Sequence, residues 1–227
     1  MSCCPHPQNA WKMKAAPCTL IRRETNCAVA PENGSGFLRL FIALAVPPVV
    51  QREIGRAQGR LRRDSPPGCV RWTQPEQFHI TLKFLGDVLA EQVAALEKTV
   101  APICASVPAM QITARGLGFF PTVQKPRVIW AGAREEQGQL LKLQRQIDEA
   151  LRWLAPAERP EKFTSHITLG RFKPGHHAAI PQLLALAADF REQPFGDWQA
   201  GEVELIRSDL TSVGATHTVL AAFPLGG

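Results

Sequence analysis

Tyrosine is absent from all 227 residues, so no phenol is available as an acid, a base or a nucleophile. No apolar run approaches the roughly 18 residues needed to span a bilayer, and the N-terminus carries no apolar stretch followed by a small-residue cleavage site. Both absences lead us to expect a soluble, cytoplasmic protein without a membrane partner. Cysteine is scarce where a fold would need it: of six, Cys3, Cys4, Cys18 and Cys27 fall in the first 36 residues, leaving Cys69 and Cys104. A disulfide framework is therefore not expected, and the thiols are read as reduced. Cys3-Cys4-Pro5-His6 has no partner at zinc-ligand spacing. Acidic side chains are outnumbered 20 to 26, giving a net charge of +6 and a pI near 9.2. That surplus favours anionic partners without identifying one.

What is present is an ordinary globular share of hydrophobic residues, 45%, laid out in two regimes. Residues 1–36 mix Pro, Cys, Asn and Gly without a period and end in Pro31-Glu-Asn-Gly-Ser-Gly36, the composition of a flexible N-terminal extension. A transit peptide is the alternative, although Glu24 and Glu32 suit it poorly. From Phe37 the pattern is that of a folded domain over 37–227. Residues 37–45 read as a buried strand, and Val49, Val50, Ile54, Ala57 and Leu61 recur at helical spacing behind Pro48. Further strands are expected at 70–73, 110–119 and 127–131, helices at 89–104, 140–151 and 178–190, and a closing antiparallel pair at 202–210 and 216–223.

The tetrapeptide His-Ile-Thr-Leu occurs twice, at 79–82 and 166–169. A second copy of a given tetrapeptide in a chain of this length has a chance on the order of one in a thousand, which argues for internal duplication. In an extended strand each copy puts His and Thr on one face and Ile and Leu on the other. The copies keep time with their surroundings: from Arg39 to His79 is 40 residues, and from Arg127 to His166 is 39. The repeat suggests an α+β fold, bilobal, with two pseudo-symmetric antiparallel sheets flanked by helices around a central cleft. The related halves would be about 37–121 and 127–213, and a pseudo-twofold would turn both His faces into one cleft.

Two imidazoles in one cleft suit transfer at phosphorus without a metal or cofactor. One takes a proton from the nucleophile and the other gives one to the leaving oxygen, both near neutrality. The neighbouring threonine hydroxyls can donate to phosphate oxygens. A cyclic phosphate fits, since its strained ring already presents the leaving oxygen. A lone strand histidine is more often structural, but identical copies in matching places argue otherwise. A metal site from His79, His166, His176 and His177 would lack carboxylate or thiolate partners. Lys83 shares the His79 face by alternation, where it would draw phosphate or stand as a solvated strand-edge lysine.

Arg39-Leu-Phe-Ile-Ala-Leu44, Phe78-His-Ile-Thr-Leu-Lys-Phe-Leu-Gly86, Pro126-Arg-Val-Ile-Trp130 and His166-Ile-Thr-Leu-Gly-Arg171 resemble the RNA 2′,3′-cyclic phosphodiesterases, also called 2′-5′ RNA ligases, of the two-histidine phosphoesterase superfamily. The resemblance runs from about Phe37 to Leu225. It implies a metal-free, cofactor-free, monomeric enzyme acting on RNA ends or nucleotides that carry a 2′,3′-cyclic phosphate. The expected product is a 2′-phosphomonoester, and reversal would make a 2′-5′ linkage. His79 and His166 would be catalytic, His166 as base for water and His79 as acid for the 3′-oxygen, with Thr81, Thr168 and Arg171 binding substrate. Strict alternation puts Arg171 on the wrong face, so a bulge or bend at Gly170 is required. Phe41 would offer a face for base stacking or sit in the core. His217 stands where the family usually carries a tyrosine. The alternative is a nucleotide- or RNA-binding module with vestigial catalysis.

Overall fold

The structure, a computed structural model, describes residues 36–155, 163–211 and 214–226. The N-terminal extension, with its four cysteines and His6, lies outside the described residues. In chain order the elements are β1 (Phe37–Ala45), α1 (Pro48–Asp64), β2 (Val70–Trp72), β3 (His79–Leu89), α2 (Val93–Ala105), β4 (Met110–Phe120) and β5 (Val128–Arg134). There follow α3 (Gln139–Ala150), β6 (His166–Phe172), α4 (Ile180–Ala188), β7 (Pro194–Ala200), β8 (Glu202–Thr211) and β9 (Gly214–Pro224). Pro48 opens α1 where a missing N–H costs nothing, and Arg62 and Arg63 close it at the negative end of its dipole. The helix expected from residue 89 begins later, because β3 continues through Leu89 and a single 3-10 turn precedes Val93.

The strands form one antiparallel sheet in the order β7-β4-β5-β6-β3-β1-β8-β9, with β2 attached to β6. It divides into two four-stranded halves joined where β3 meets β6, at the single pair Ile80↔Ile167. The last strand of each repeated stretch crosses over: β4 lies beside β5, and β8 lies beside β1. β7, which sequence periodicity does not announce, adds to the β4 edge.

One face of the sheet carries the main core. Ile54 and Leu61 of α1 and Leu143 and Ile147 of α3 meet Leu40, Ile42, Leu44, Ile129 and Leu205 of the strands, all at most 1% exposed. Each such side chain stabilises the fold by about 1.5–3 kcal/mol. Ile80, Ile167 and Leu169 are likewise fully buried and Leu82 is nearly so. The aliphatic half of each His-Ile-Thr-Leu thus anchors its strand and leaves His and Thr on the opposite face. On that opposite face Phe41, Ala43 and Ile206 make a second small cluster. Around it the sheet curls far enough that Gln77, just before β3, donates from Nε2 to the Ala215 carbonyl of β9 at 2.5 Å.

Candidate active site

The pair Ile80↔Ile167 fixes the arrangement of the repeated motifs. Continuing the antiparallel register outward by one residue sets His79 across from Thr168 and Thr81 across from His166. In an antiparallel pair, side chains so opposed share a face about 5 Å apart at Cβ. Both imidazoles and both hydroxyls therefore stand on one face at the junction of the two half-sheets.

Beyond each threonine the strand carries a bulge, and the two bulges fall at equivalent places. On β6 the partner Ile129 pairs with Gly170 while the next residue, Trp130, pairs with Thr168, so Leu169 is supernumerary. Arg171 then pairs with Val128, which alternates with Trp130, and it returns to the His166 face. This is the bulge that the arginine required. Gly170 is needed there because a Cβ would meet Val70 Cγ1 at 2.6 Å. On β3, Ala43 pairs with Thr81 while Ile42 pairs with Lys83, so Leu82 is the extra residue. Lys83 is thereby turned away from His79, correcting the expectation from alternation. It lies 7% exposed and bonds Asp148 Oδ1 of α3 at 2.5 Å. Phe84 takes the equivalent of the Arg171 position, 66% exposed and 6.1 Å from Phe41 between ring centroids.

The two imidazoles are held alike. His79 Nδ1 is 2.7 Å from the Gln77 carbonyl and His166 Nδ1 is 2.8 Å from the Thr164 carbonyl, each two residues back along the chain. A carbonyl only accepts, so Nδ1 carries the hydrogen and Nε2 is the nitrogen left for chemistry. Each ring is also caged by aromatics. Phe41 lies 4.8 Å from His79 and His217 lies 5.5 Å from it, edge-on. Phe120 lies 4.9 Å from His166, also edge-on, and Trp130 lies 6.4 Å away. Phe41 itself is 4% exposed, with His217 also 5.1 Å from it, edge-on.

Burial pushes His79 down from 6.5 to about 4; the Gln77 bond opposes the fall, and His217 and then His166 reinforce it. Burial lowers His166 as well, opposed by its bond to Thr164 and reinforced by the Arg171 guanidinium. His217 is lowered by burial. Burial thus disfavours the charged form of both motif histidines. Among the described residues no group of three or more His, Cys, Asp or Glu is placed to hold a metal ion. His176, considered above as a ligand, is exposed in the loop that leads to a short turn at His177–Ala179.

Sequence reading brought His79, His166, Thr81, Thr168 and Arg171 to one face but missed several neighbours. Trp130 is legible in hindsight, since it and Gly132 alternate on β5 opposite Thr168 and His166. Gln58 of α1 gave no signal: it is 6% exposed and donates from Nε2 to the Thr73 carbonyl at 2.7 Å and the Leu169 carbonyl at 2.9 Å. It thereby clamps the β6 bulge to the chain leaving β2.

The chain has relatives among known proteins. The family described as LigT like phosphoesterase matches the chain twice, over residues 44–130 and 132–215. An RNA 2′,3′-cyclic phosphodiesterase of Aquifex aeolicus is 33% identical over 159 residues, 69% of this chain and 82% of the relative. One from Archaeoglobus fulgidus is 30% identical over 186 residues, 82% of this chain and 99% of the relative. Among solved structures, the protein TT0787 of Thermus thermophilus superposes with a TM-score of 0.67 at 28% identity, covering 84% of this chain and 99% of that one.

Proposed function

Because the chain belongs to the LigT-like phosphoesterase family, we propose that it hydrolyses 2′,3′-cyclic phosphates on RNA ends or nucleotides to 2′-phosphomonoesters. The observation that carries this reading is the pairing Ile80↔Ile167, which sets two His/Thr pairs on one face with both Nε2 atoms unspent. The cyclic phosphate lies between the imidazoles, its non-bridging oxygens taking hydrogen bonds from Thr81 and Thr168 and charge from Arg171. Water attacks phosphorus in line with the 3′-oxygen. His166 Nε2 takes the water proton as the P–O bond forms; the P–O3′ bond breaks, and His79 Nε2–H gives its proton to O3′. One phosphodiester bond and one water become a 2′-monoester and a 3′-hydroxyl, and the proton passes back from His166 to His79 through solvent.

The division of roles is the one that the resemblance implies, and the Arg171 guanidinium, which opposes a cation on His166, keeps that ring free to take a proton. His79, with a proton affinity well below that of free imidazole, is a strong acid once protonated, and the anionic substrate supplies the charge that lets it hold a proton. Phe41 acts here from behind His79, since its ring is occupied by the two imidazoles. No metal or cofactor takes part in these steps, every named group comes from one chain, and the protein acts as a cytoplasmic monomer. The same residues run in reverse would join a cyclic-phosphate end to a 5′-hydroxyl, with hydrolysis favoured by the abundance of water.

Incubation of the purified protein with a nucleoside 2′,3′-cyclic phosphate and with a cyclic-phosphate-ended RNA, in EDTA, tests this. The expected product in both cases is the 2′-phosphate. Loss of turnover to chelator would remove the metal-free mechanism, and saturable binding without turnover would replace the enzyme with a binding module.

A further inference from the structure

His79 and His166 differ in one respect: the cage around His166 is made of Phe120 and Trp130, which cannot change charge near neutrality, whereas the cage around His79 contains a third imidazole. His217 comes from β9, at the far edge of the half-sheet, yet its ring reaches both Phe41, at 5.1 Å and 67°, and His79, at 5.5 Å and 66°. Phe41 and His79 themselves meet at 4.8 Å and 35°. Three rings from β1, β3 and β9 therefore touch pairwise. The contact is possible because the sheet curls over Ala43, which is fully buried and has only a methyl group to cover. The bond from Gln77 to the Ala215 carbonyl fastens the curl two residues from His217 on one side and two residues from His79 on the other.

We propose, on the footing of the cyclic phosphodiesterase reading, that His217 is a positioning residue for His79: its ring completes the cage that aims His79 Nε2, and its charge, when present, opposes a proton on His79. The groups facing His217 leave little else to play that part. β8 sets Ser208 across from it, flanked by Arg207 and Asp209, which bond each other at 2.8 Å. β1 presents Phe41 and, two residues before it on the same face, Arg39, which pairs with Asp87 of β3 and lies beyond Ser208 from His217; β3 also presents His79, with His166 and Arg171 of β6 beyond. On the core side α2 buries Leu96, Val100 and Cys104. The only titrating neighbour in ring contact with His217 among the described residues is thus the histidine proposed as the acid. Its proton opposes one on His79 by like-charge repulsion across a short, partly dry gap.

A ring that only packs and a ring that also titrates make different predictions. In His217→Phe the cage survives and the competing charge is gone. The His79 resonance, followed by NMR through its ring proton and assigned by its loss in His79→Ala, should then titrate at a pH higher by roughly half a unit or more. The alkaline limb of kcat/KM for a nucleoside 2′,3′-cyclic phosphate should move up with it. In His217→Ala the cage opens, and kcat should fall about tenfold with little change in KM. A His79 titration in His217→Phe that superimposes on the parent, or a kcat in His217→Ala within about twofold of it, would overturn the proposal. The NMR titration requires no turnover, so it judges His217 even if the parent protein leaves cyclic phosphates intact, an outcome that would instead refute the proposed activity.

Discussion

His79 and His166 each commit Nδ1 to a backbone carbonyl two residues back, an arrangement that costs one hydrogen bond and fixes both the tautomer and the plane of the ring. Burial disfavours a charge on both rings, and in the proposed reaction the anionic substrate supplies the counter-charge for the proton on His79. The pH consequence has a definite sign. In the free enzyme both histidines titrate below 6.5, so kcat/KM should reach its maximum on the acid side of that value and fall as the pH rises through neutrality. In the complex the phosphate charge raises both affinities, so the limbs of kcat should lie at higher pH than those of kcat/KM. Steady-state rates across the pH range check this, and a kcat/KM that stays level to about pH 8 would contradict it.

At the scale of the element the decisive features are the two bulges. Alternation alone puts Arg171 on the far face; it is the family resemblance that requires a bend before it, and the bend falls at Gly170, where β2 packs too closely for a Cβ. The equivalent bulge at Leu82 carries no glycine and no other mark, so alternation placed Lys83 on the wrong face; only the pairing with β1 reveals the turn. β7 was missed for a related reason: Pro194 and Gly196 interrupt its pattern, and β4 supplies the register that the sequence does not. The approach of His217 to His79 depends on how far four strands curl, which no local pattern encodes. Two substitutions separate these cases. Lys83→Met should lower Tm, since it leaves Asp148 without its partner, while KM for the cyclic phosphate stays within about twofold. Gln58→Leu should raise that KM about tenfold, because the Thr73 carbonyl loses its donor and the bulge before Arg171 loses one of the two bonds on the Leu169 carbonyl, the other being from the Thr73 N–H at 2.8 Å.

For the whole molecule, two four-stranded half-sheets share a single residue pair, and the proposed chemistry sits on that pair. On β6 the partners of Trp72 and Ile80 are only three positions apart, while those two are eight positions apart in their own chain. The excess forms the excursion through Pro75–Gln77, which delivers the Gln77 carbonyl to His79 and the Gln77 side chain to β9. Exchange of β4 and β8 between the half-sheets ties each to the other's sequence, so neither half is a separable unit around its own histidine. In the proposed reaction the two imidazoles act as one device in one cleft. Its most direct test is a kinetic cycle of His79→Ala, His166→Ala and the double variant on a nucleoside 2′,3′-cyclic phosphate. Each single substitution should lower kcat by at least about a hundredfold, and the double variant should be no worse than the poorer single one within a few fold. A single variant that keeps near-parental kcat, or single losses that multiply in the double variant, would contradict it.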